Sequence, residues 1–173
     1  SKLALIYTQL HQDDTKDPQG LSWDEYQQNQ NAASPGALLY DTRKSVDNSS
    51  LSLSFEHEFA AGTWQNTLYG GTRHVIQYQS IPAFVQSNPL SSGGVVDFDR
   101  NFRGASTRWI QPLALFGGEL TITSGLEYDA SSDDRQGYEN FIGSTLGVKC
   151  ALRRSEQDDV TSLSPFSQLV WEQ

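Results

Sequence analysis

The clearest structural signal in the sequence is VDNSSLSLSFEHEF, residues Val46–Phe59. Apolar and polar residues alternate along this segment with a period of two, the spacing at which side chains project from opposite faces of a β-strand. One face would carry Leu51, Leu53, Phe55, His57 and Phe59, and the other Ser50, Ser52, Ser54, Glu56 and Glu58. The segment therefore predicts a long strand with one apolar face and one wet face.

The same alternation recurs along the chain and predicts five more strands. They are Lys2–Gln12, Thr63–Gln79, Val95–Ile110, Glu119–Asp129 and about Val160–Trp171. We expect helix to be nearly absent, except for a turn near Ser22–Gln28, where Ser22 can cap a helix ahead of Glu25. The predicted fold class is all-β, an antiparallel up-and-down meander of about six long strands.

The predicted connections alternate between short and long. The short ones are Ala60–Gly62 and Gln111–Gly118, and the long ones are Asp13–Ser45, Ser80–Gly94 and Ala130–Asp159. Three long loops at one end of a meander, with short turns at the other, are typical of outer-membrane barrels. Strands of this length also suffice for a bilayer, which tilted strands of roughly 9–11 residues cross. The sequence therefore predicts that the meander is part of a transmembrane β-barrel.

Composition and charge exclude several classes of protein. The 173 residues fit a single domain, and a net charge of −9 leaves no basic surface for a nucleic-acid backbone. A lone cysteine, Cys150, excludes an internal disulfide framework and a cysteine-rich zinc site. We expect neither a membrane-spanning helix nor a signal peptide, because the sequence contains no apolar run of about 18 residues and no basic leader.

The sequence contains no convincing catalytic or metal-binding constellation. Glu56 and Glu58, like Asp97 and Asp99, stand two positions apart on one strand face, and each pair is a candidate for acid–base chemistry. A solvated strand face explains them more simply. The histidines fall on separate strands without the spacing of metal ligands, at His11, His57 and His74. We expect a protein that is not an enzyme and has no resident cofactor or metal.

Aromatic and basic residues in or beside the loops are the better candidates for function. They are Trp23, Tyr26, Tyr40, Arg43, Lys44, Arg73, Tyr78, Phe84, Arg100, Arg103, Arg135, Tyr138, Phe141, Arg153 and Arg154. Such residues can line a vestibule for an anionic ligand. Girdles of aromatic residues at a membrane surface account equally well for part of the set.

Short motifs distributed over nearly the whole chain resemble one family. They are DPQGL (17–21) followed by Trp23, YDTRK (40–44), QYQSIP (77–82), STRW (106–109), TSGLEY (123–128), RQGYENF (135–141) and LRR (152–154). In order and spacing these pieces resemble the barrel of TonB-dependent outer-membrane receptors. Within that family they look most like the siderophore-receptor subgroup that includes receptors for the cofactor pyrroloquinoline quinone.

The resemblance implies a transport protein in the outer membrane of a Gram-negative bacterium. Receptors of this family bind a scarce nutrient, such as a ferric siderophore or a quinone or vitamin cofactor, and import it with energy from TonB. They close with about 22 strands around a plug. This chain has room for about six strands, with neither a plug nor a TonB box, so the resemblance implies an internal barrel fragment. Cys150 stands where the resemblance implies glycine.

From their places in resembling segments, we predict Arg43, Tyr78 and Arg135 as ligand-binding residues at the end of the long loops. A guanidinium suits bidentate contact with a carboxylate or with the oxygens of a chelate, and a tyrosine adds a flat apolar contact. An equally strong alternative for Arg43 is a purely structural ion pair with Asp41 or another loop acid.

Two expectations about association and function remain open at this point. An open six-stranded segment has two unpaired edges and an apolar face that lipid would cover in the parent barrel, so we expect the isolated segment to self-associate. The alternative function is that of a soluble all-β binding module, a sandwich with its ligand at the long loops. In a sandwich, Leu51, Leu53 and Phe55 would pack against a second sheet.

Overall fold

A computed structural model of the chain describes residues 1–115 and 117–173. Six long strands form one antiparallel sheet in the order β1-β2-β3-β4-β5-β8. Their bounds are β1 Lys2–Lys16, β2 Arg43–Phe59, β3 Gly62–Tyr78, β4 Val95–Leu115, β5 Gly118–Tyr138 and β8 Leu152–Glu172. Each strand pairs with the next one of the sheet, and β1 and β8 form its two edges. The all-β meander of six strands is thus confirmed, and the sheet is open.

Three short helices and one small hairpin lie in the long connections. They are α1 Trp23–Gln28, α2 Pro35–Tyr40, α3 Ala83–Gln86, and the hairpin of β6 Phe141–Ile142 with β7 Thr145–Leu146. In the part of the chain that the structure describes, no helix has both the length and the apolar character needed to cross a membrane.

The expected helical turn near Ser22 is confirmed with its cap. The Ser22 hydroxyl accepts the Glu25 N–H at 3.3 Å, and the Glu25 carboxylate accepts the Ser22 N–H at 2.8 Å. Helix α2 was not predicted, although Ser34 followed by Pro35 is a recognisable start signal: Ser34 caps the Ala37 N–H and Pro35 opens the first turn.

The fourth and fifth strands are longer than predicted at the end with short turns. β4 continues to Leu115 and β5 begins at Gly118, so most of the predicted connection Gln111–Gly118 is strand, and its Phe116 lies outside the described residues. Pro112 lies within this extension of β4. It is tolerated because the pairing of β3 ends opposite Ile110, which leaves β4 without a hydrogen-bonding neighbour on that side.

The long connection after β5 is also shorter than predicted. β5 runs to Tyr138 and β8 starts at Leu152, which cuts the expected loop Ala130–Asp159 to residues 139–151. Polar residues occupy both faces there, as in the pairs Asp133↔Asp158 and Asp134↔Gln157, so hydropathy does not alternate. Backbone pairing with the preceding strands extends the sheet without that pattern.

The uninterrupted register from β2 to β5 keeps each face of the sheet chemically distinct. One row of paired residues contains Leu5, Leu53, Leu68, Ala105, Tyr128 and Leu163, and the side of the sheet to which it belongs is called the apolar face. The neighbouring row contains Ala4, Ser54, Thr67, Ser106, Glu127 and Ser164, and its side is called the polar face.

The sheet curls toward its polar face. A cavity of about 430 Å³ there is lined by residues from all six strands, from Lys2 on β1 to Phe166 on β8. A flat sheet could not enclose one cavity with its two outermost strands. The apolar face is therefore the outer side of the curved sheet.

The small core lies at the end of the sheet with the long loops. Its buried apolar residues are Ala37, Tyr40, Val46, Val75 and Val95. Beside them Gln86 and Asn140 are buried and hydrogen-bonded to each other at 2.7 Å, and Asn140 also donates to the Gln79 carbonyl at 2.7 Å. This pair fastens the 79–94 connection to the 139–151 connection.

Candidate functional site

The three residues predicted to bind ligand do not form one site. Arg43 and Tyr78 are paired across β2 and β3, and the guanidinium carbon lies 3.6 Å from the centroid of the tyrosine ring. Arg135 on β5 is in register with Phe98, Val75 and Val46, whose side chains lie on the polar face. Because side chains alternate along a strand, Arg43 and Tyr78 lie on the opposite face from Arg135.

Arg43 is held by acids and carbonyls of neighbouring segments. Its Nη1 donates to the Asp41 carboxylate at 3.0 Å, its Nε donates to Asp14 at 3.2 Å, and Nη1 also reaches the Gly147 carbonyl at 3.3 Å. Only 15% of its side chain is exposed. These contacts match the structural alternative for Arg43, in which its ion pairs and hydrogen bonds hold neighbouring segments together.

Lys149 connects neighbouring segments in the same way, and the sequence analysis did not identify it. Its Nζ lies 4.0 Å from the centroid of the Tyr138 ring and 2.5 Å from Asp97 Oδ2. Burial opposes the charged form, but the hydrogen bond and charge of Asp97 outweigh it and raise the Lys149 pKa. Near Arg43, a hydrogen bond from Lys16 lowers the pKa of Asp41. At the loop end of the apolar face, these cations are therefore paired with acids, and the ion pairs stabilise the connections.

Arg135 belongs to a different group, here called the arginine cluster: Arg73, Arg100 and Arg135 on the polar face. Arg73 and Arg100 are paired across β3 and β4, and their row lies two residues along the strands from that of Arg135, on the same face. The side chain of Arg135 is 51% exposed, and its nearest acid, Glu156, is 3.8 Å away. Arg73 makes no hydrogen bond or ion pair with any residue that the structure describes.

Arg100 is the one member of the arginine cluster with a full partner. It binds Asp133 through Nε at 2.7 Å and Nη2 at 2.5 Å. The hydrogen bonds from Arg100 hold the pKa of Asp133 below its usual range, and Arg135 adds to the effect. The guanidinium carbon of Arg100 also lies 5.9 Å from the centroid of the Phe98 ring. Two arginines thus retain donors for another molecule, and the third is oriented beside them.

A cavity of about 310 Å³ adjoins the arginine cluster. Its lining includes Arg73, Arg100, Asn48, Tyr69, Phe102 and Asp129. The Tyr69 hydroxyl donates to Asp129. Guanidinium forks beside aromatic rings suit the planar oxygens of carboxylates and chelates. The cavity is therefore suited to an anionic ligand larger than a single ion.

The carboxylates considered for acid–base chemistry have charged or polar partners. Glu56 accepts from Lys2 at 2.8 Å and from Gln65 at 2.6 Å, and Gln65 in turn accepts from Arg108 at 2.5 Å. This chain of hydrogen bonds crosses four strands on the polar face. It makes the wall of the 430 Å³ cavity polar, and Glu127 adds a carboxylate to the same wall.

The histidines are distributed as the sequence suggested. His11 contacts Asp47 and Asp13, His74 contacts Asp99 at 2.7 Å, and the His57 ring packs edge-on against Phe59 at 4.3 Å. Among residues 1–115 and 117–173 no three histidines, cysteines or acids are grouped to hold a metal ion.

The sequence identified the members of the arginine cluster individually, but not their grouping, which depends on the strand register. Arg73, Arg100 and Arg135 all belong to the broader set of basic residues considered above. Their common face follows from pairing Val75 with Phe98 and Phe98 with Arg135, and nothing in the three separate segments specifies this alignment.

Compared with models of known protein families, the chain matches none.

Proposed function

We propose that the chain is a segment of the β-barrel wall of a TonB-dependent outer-membrane receptor. The receptor would bind a scarce nutrient, such as a ferric siderophore or a quinone or vitamin cofactor, at the cell surface of a Gram-negative bacterium. It would import the nutrient with energy from TonB and perform no enzymatic reaction. The observation that carries the proposal is the apolar band described next.

The apolar band is the portion of the apolar face formed by Leu51–Phe59 on β2, Leu120–Tyr128 on β5 and Leu163–Trp171 on β8, with the residues paired to them. Each segment is nine residues long, which matches the roughly 9–11 residues of a strand that crosses a bilayer. Beyond the band the apolar face becomes polar, as in the row Asp47, His74, Asp99 and Asp134.

Aromatic residues mark both borders of the apolar band. Trp64 and Trp109 are paired at the end of the sheet with the short turns. The ring centroids of Phe59 and Trp109 are 5.7 Å apart there, and Trp171 lies at the same end on the edge strand β8. Tyr7 and Tyr128 lie near the border at the long loops. Amphipathic rings of this kind prefer the surface of a membrane, where one side is apolar and the other wet.

The exposure of the apolar band favours lipid over the sandwich alternative. Leu51 is 49% exposed, Leu68 57% and Leu163 63%. The other sheet within the described residues is the small hairpin of β6 and β7, which has two residues in each strand and lies in the loops. A sandwich would instead bury these leucines between two sheets.

The arginine cluster supplies the recognition chemistry in this proposal. It lies on the inner side of the curved sheet near the long loops, where a ligand would arrive from outside. Arg73 and Arg135 retain donors for its anionic oxygens. This position agrees with import of a chelate or a carboxylate-bearing cofactor.

Spin labels on alternate residues test the proposal. Single cysteines at Leu53, Leu68 and Leu126, in a Cys150→Ser background, are labelled with a nitroxide in the whole gene product in lipid vesicles. Ser54, Thr67 and Glu127 are the matched controls, because each is adjacent in sequence to a labelled leucine and lies on the polar face. We expect labels of the first set to collide with oxygen and to be protected from a water-soluble nickel complex.

The control positions should show less contact with oxygen and more with the nickel complex. Protection of Leu53 and Leu68 from both reagents would contradict the proposal, because that result is the signature of a covered sandwich interior. The reading frame around the segment provides a second test. A plug upstream and a dozen or more strands downstream would support the receptor, and stop codons at both ends would refute it.

A further inference from the structure

The register of β4 puts the Arg103 side chain on the apolar face, although the residue also borders the 310 Å³ cavity of the polar face. It lies on β4 in the row of Leu51, Gly70, Ala130 and Thr161, the last row of the apolar band before the polar rows begin. The residue is exposed and forms no hydrogen bond or ion pair within the described parts of the chain. Its guanidinium donors are therefore free for a molecule outside the protein.

A pocket surrounds Arg103. The pocket has a volume of about 270 Å³, and its lining includes Asn101, Arg103, Tyr128, Ala130, Ser132 and Thr161. The space for the pocket comes from the small residues beside Arg103. Arg103 is paired with Ala130 on β5 and with Gly70 on β3. Asn101, Ser132 and Thr161 surround it with hydrogen-bonding groups, and the Tyr128 ring closes the side toward the apolar band.

The chemistry of this pocket changes over a short distance, from an aromatic ring and alanine to a guanidinium, an amide and hydroxyls. A membrane lipid changes in the same order, from acyl chain to phosphate headgroup. The guanidinium fork is matched to phosphate oxygens, and hydroxyls add further donors. A fully soluble anion would gain nothing from the apolar side of the pocket.

We infer that the Arg103 pocket binds the phosphate group of a membrane lipid, with the acyl chains lying along the apolar band toward Tyr128. This inference rests on the proposed membrane position of the apolar band. Asp159 also lines the pocket and carries the same charge sign as phosphate. Its carboxylate therefore weakens the site, and direct contact with Arg103 outweighs it.

The test uses native mass spectrometry of the whole gene product in detergent, titrated with phosphatidic acid or phosphatidylcholine of the same chain lengths. We expect retained phosphatidic acid to fall about tenfold in Arg103→Gln, the effect of losing one charge-assisted contact. Ala130→Leu fills the pocket without changing charge and should cause a similar loss. Asp159→Asn should strengthen retention, because it removes repulsion.

Arg108→Gln is the matched control, since it removes an arginine from the polar face of the same strand and should leave retention unchanged. Circular dichroism verifies that each variant is folded. Equal retention by the parent, Arg103→Gln and Ala130→Leu would overturn the inference. Displacement of the lipid by millimolar inorganic phosphate would also overturn it, because the site would then belong to a soluble anion. Success of the spin-label test with failure here would refute the lipid site alone.

Discussion

Arginines at the loop end of the sheet differ in what they leave free for a ligand. Arg43 uses its donors on Asp14, Asp41 and Gly147, whereas Arg73 and Arg135 keep theirs. Loss of one charge-assisted contact to a desolvated anion costs about 1.5–3 kcal/mol. Under the proposed function, we therefore expect Arg73→Ala and Arg135→Ala in the whole gene product to weaken ligand binding about tenfold or more, measured at constant surface expression.

Arg43→Ala should affect binding less and loop stability more, and Arg154→Ala serves as a control, because Arg154 is already paired with Glu156 at 2.5 Å. If Arg73→Ala and Arg135→Ala both bind ligand like the unmodified protein, the proposed ligand site at the arginine cluster is refuted.

His11 gives a prediction about pH. Its hydrogen bond to Asp47 and the charge of Asp13 raise the His11 pKa above the ordinary 6.5. The contact therefore holds the end of β1 on β2 at pH values below 6.5, and it is lost as the pH rises through the raised pKa. An NMR titration should place the His11 midpoint above 6.5, and Asp47→Asn should lower it.

Asp99→Asn is the matched control for the His11 titration, since Asp99 contacts His74 and not His11. A His11 midpoint at or below 6.5 in the unmodified chain would show that the contact does not form in solution.

Among the connecting elements, the tight approach of the 79–94 connection to β5 depends on Gly93. Its φ is +90°, and a Cβ there would stand 2.0 Å from the Tyr138 carbonyl oxygen. Gly93→Ala should lower the free energy of unfolding by roughly 1–3 kcal/mol, because both the backbone conformation and the contact become strained. Denaturant unfolding in detergent measures the change.

Gly20→Ala is the control for Gly93→Ala, because a Cβ at Gly20 meets no atom within 4 Å. Equal stability of the two variants would mean that the 79–94 connection does not depend on this close approach.

The strands could be predicted from the sequence where one face is apolar, as in Val46–Phe59. They could not be delimited where both faces are polar, as in residues 130–138 of β5. There the strand forms because its neighbour offers a backbone ladder, which single-sequence periodicity does not register. For the same reason the candidate residues were found individually, while their division between two faces needed the register.

At the scale of the whole molecule, the open sheet presents two unpaired edges and an uncovered apolar face. Both favour contact with other chains when no lipid is present. We expect the isolated chain to form oligomers in buffer without detergent, as measured by light scattering after size exclusion. Serine at Leu53, Leu68 and Leu163 should shift it toward smaller species.

Substitution of Ser54, Thr67 and Ser164 by alanine is the matched control on the polar face and should leave the distribution unchanged. A monodisperse monomer of the unmodified chain in that buffer would contradict the prediction.

The register of the sheet also limits which sequence changes this protein can accept during evolution. Among the described residues, the pairing shifts only between Gln12 and Thr15 and between Gly137 and Tyr138, both at the ends of strands near the long loops. Elsewhere a single-residue deletion, for example within Gly62–Tyr78, would move every side chain beyond it to the other face of the sheet and mix polar and apolar residues on both faces. Insertions and deletions in descendants of this gene should therefore collect in the 17–42, 79–94 and 139–151 connections, while the strands change by substitution at constant length.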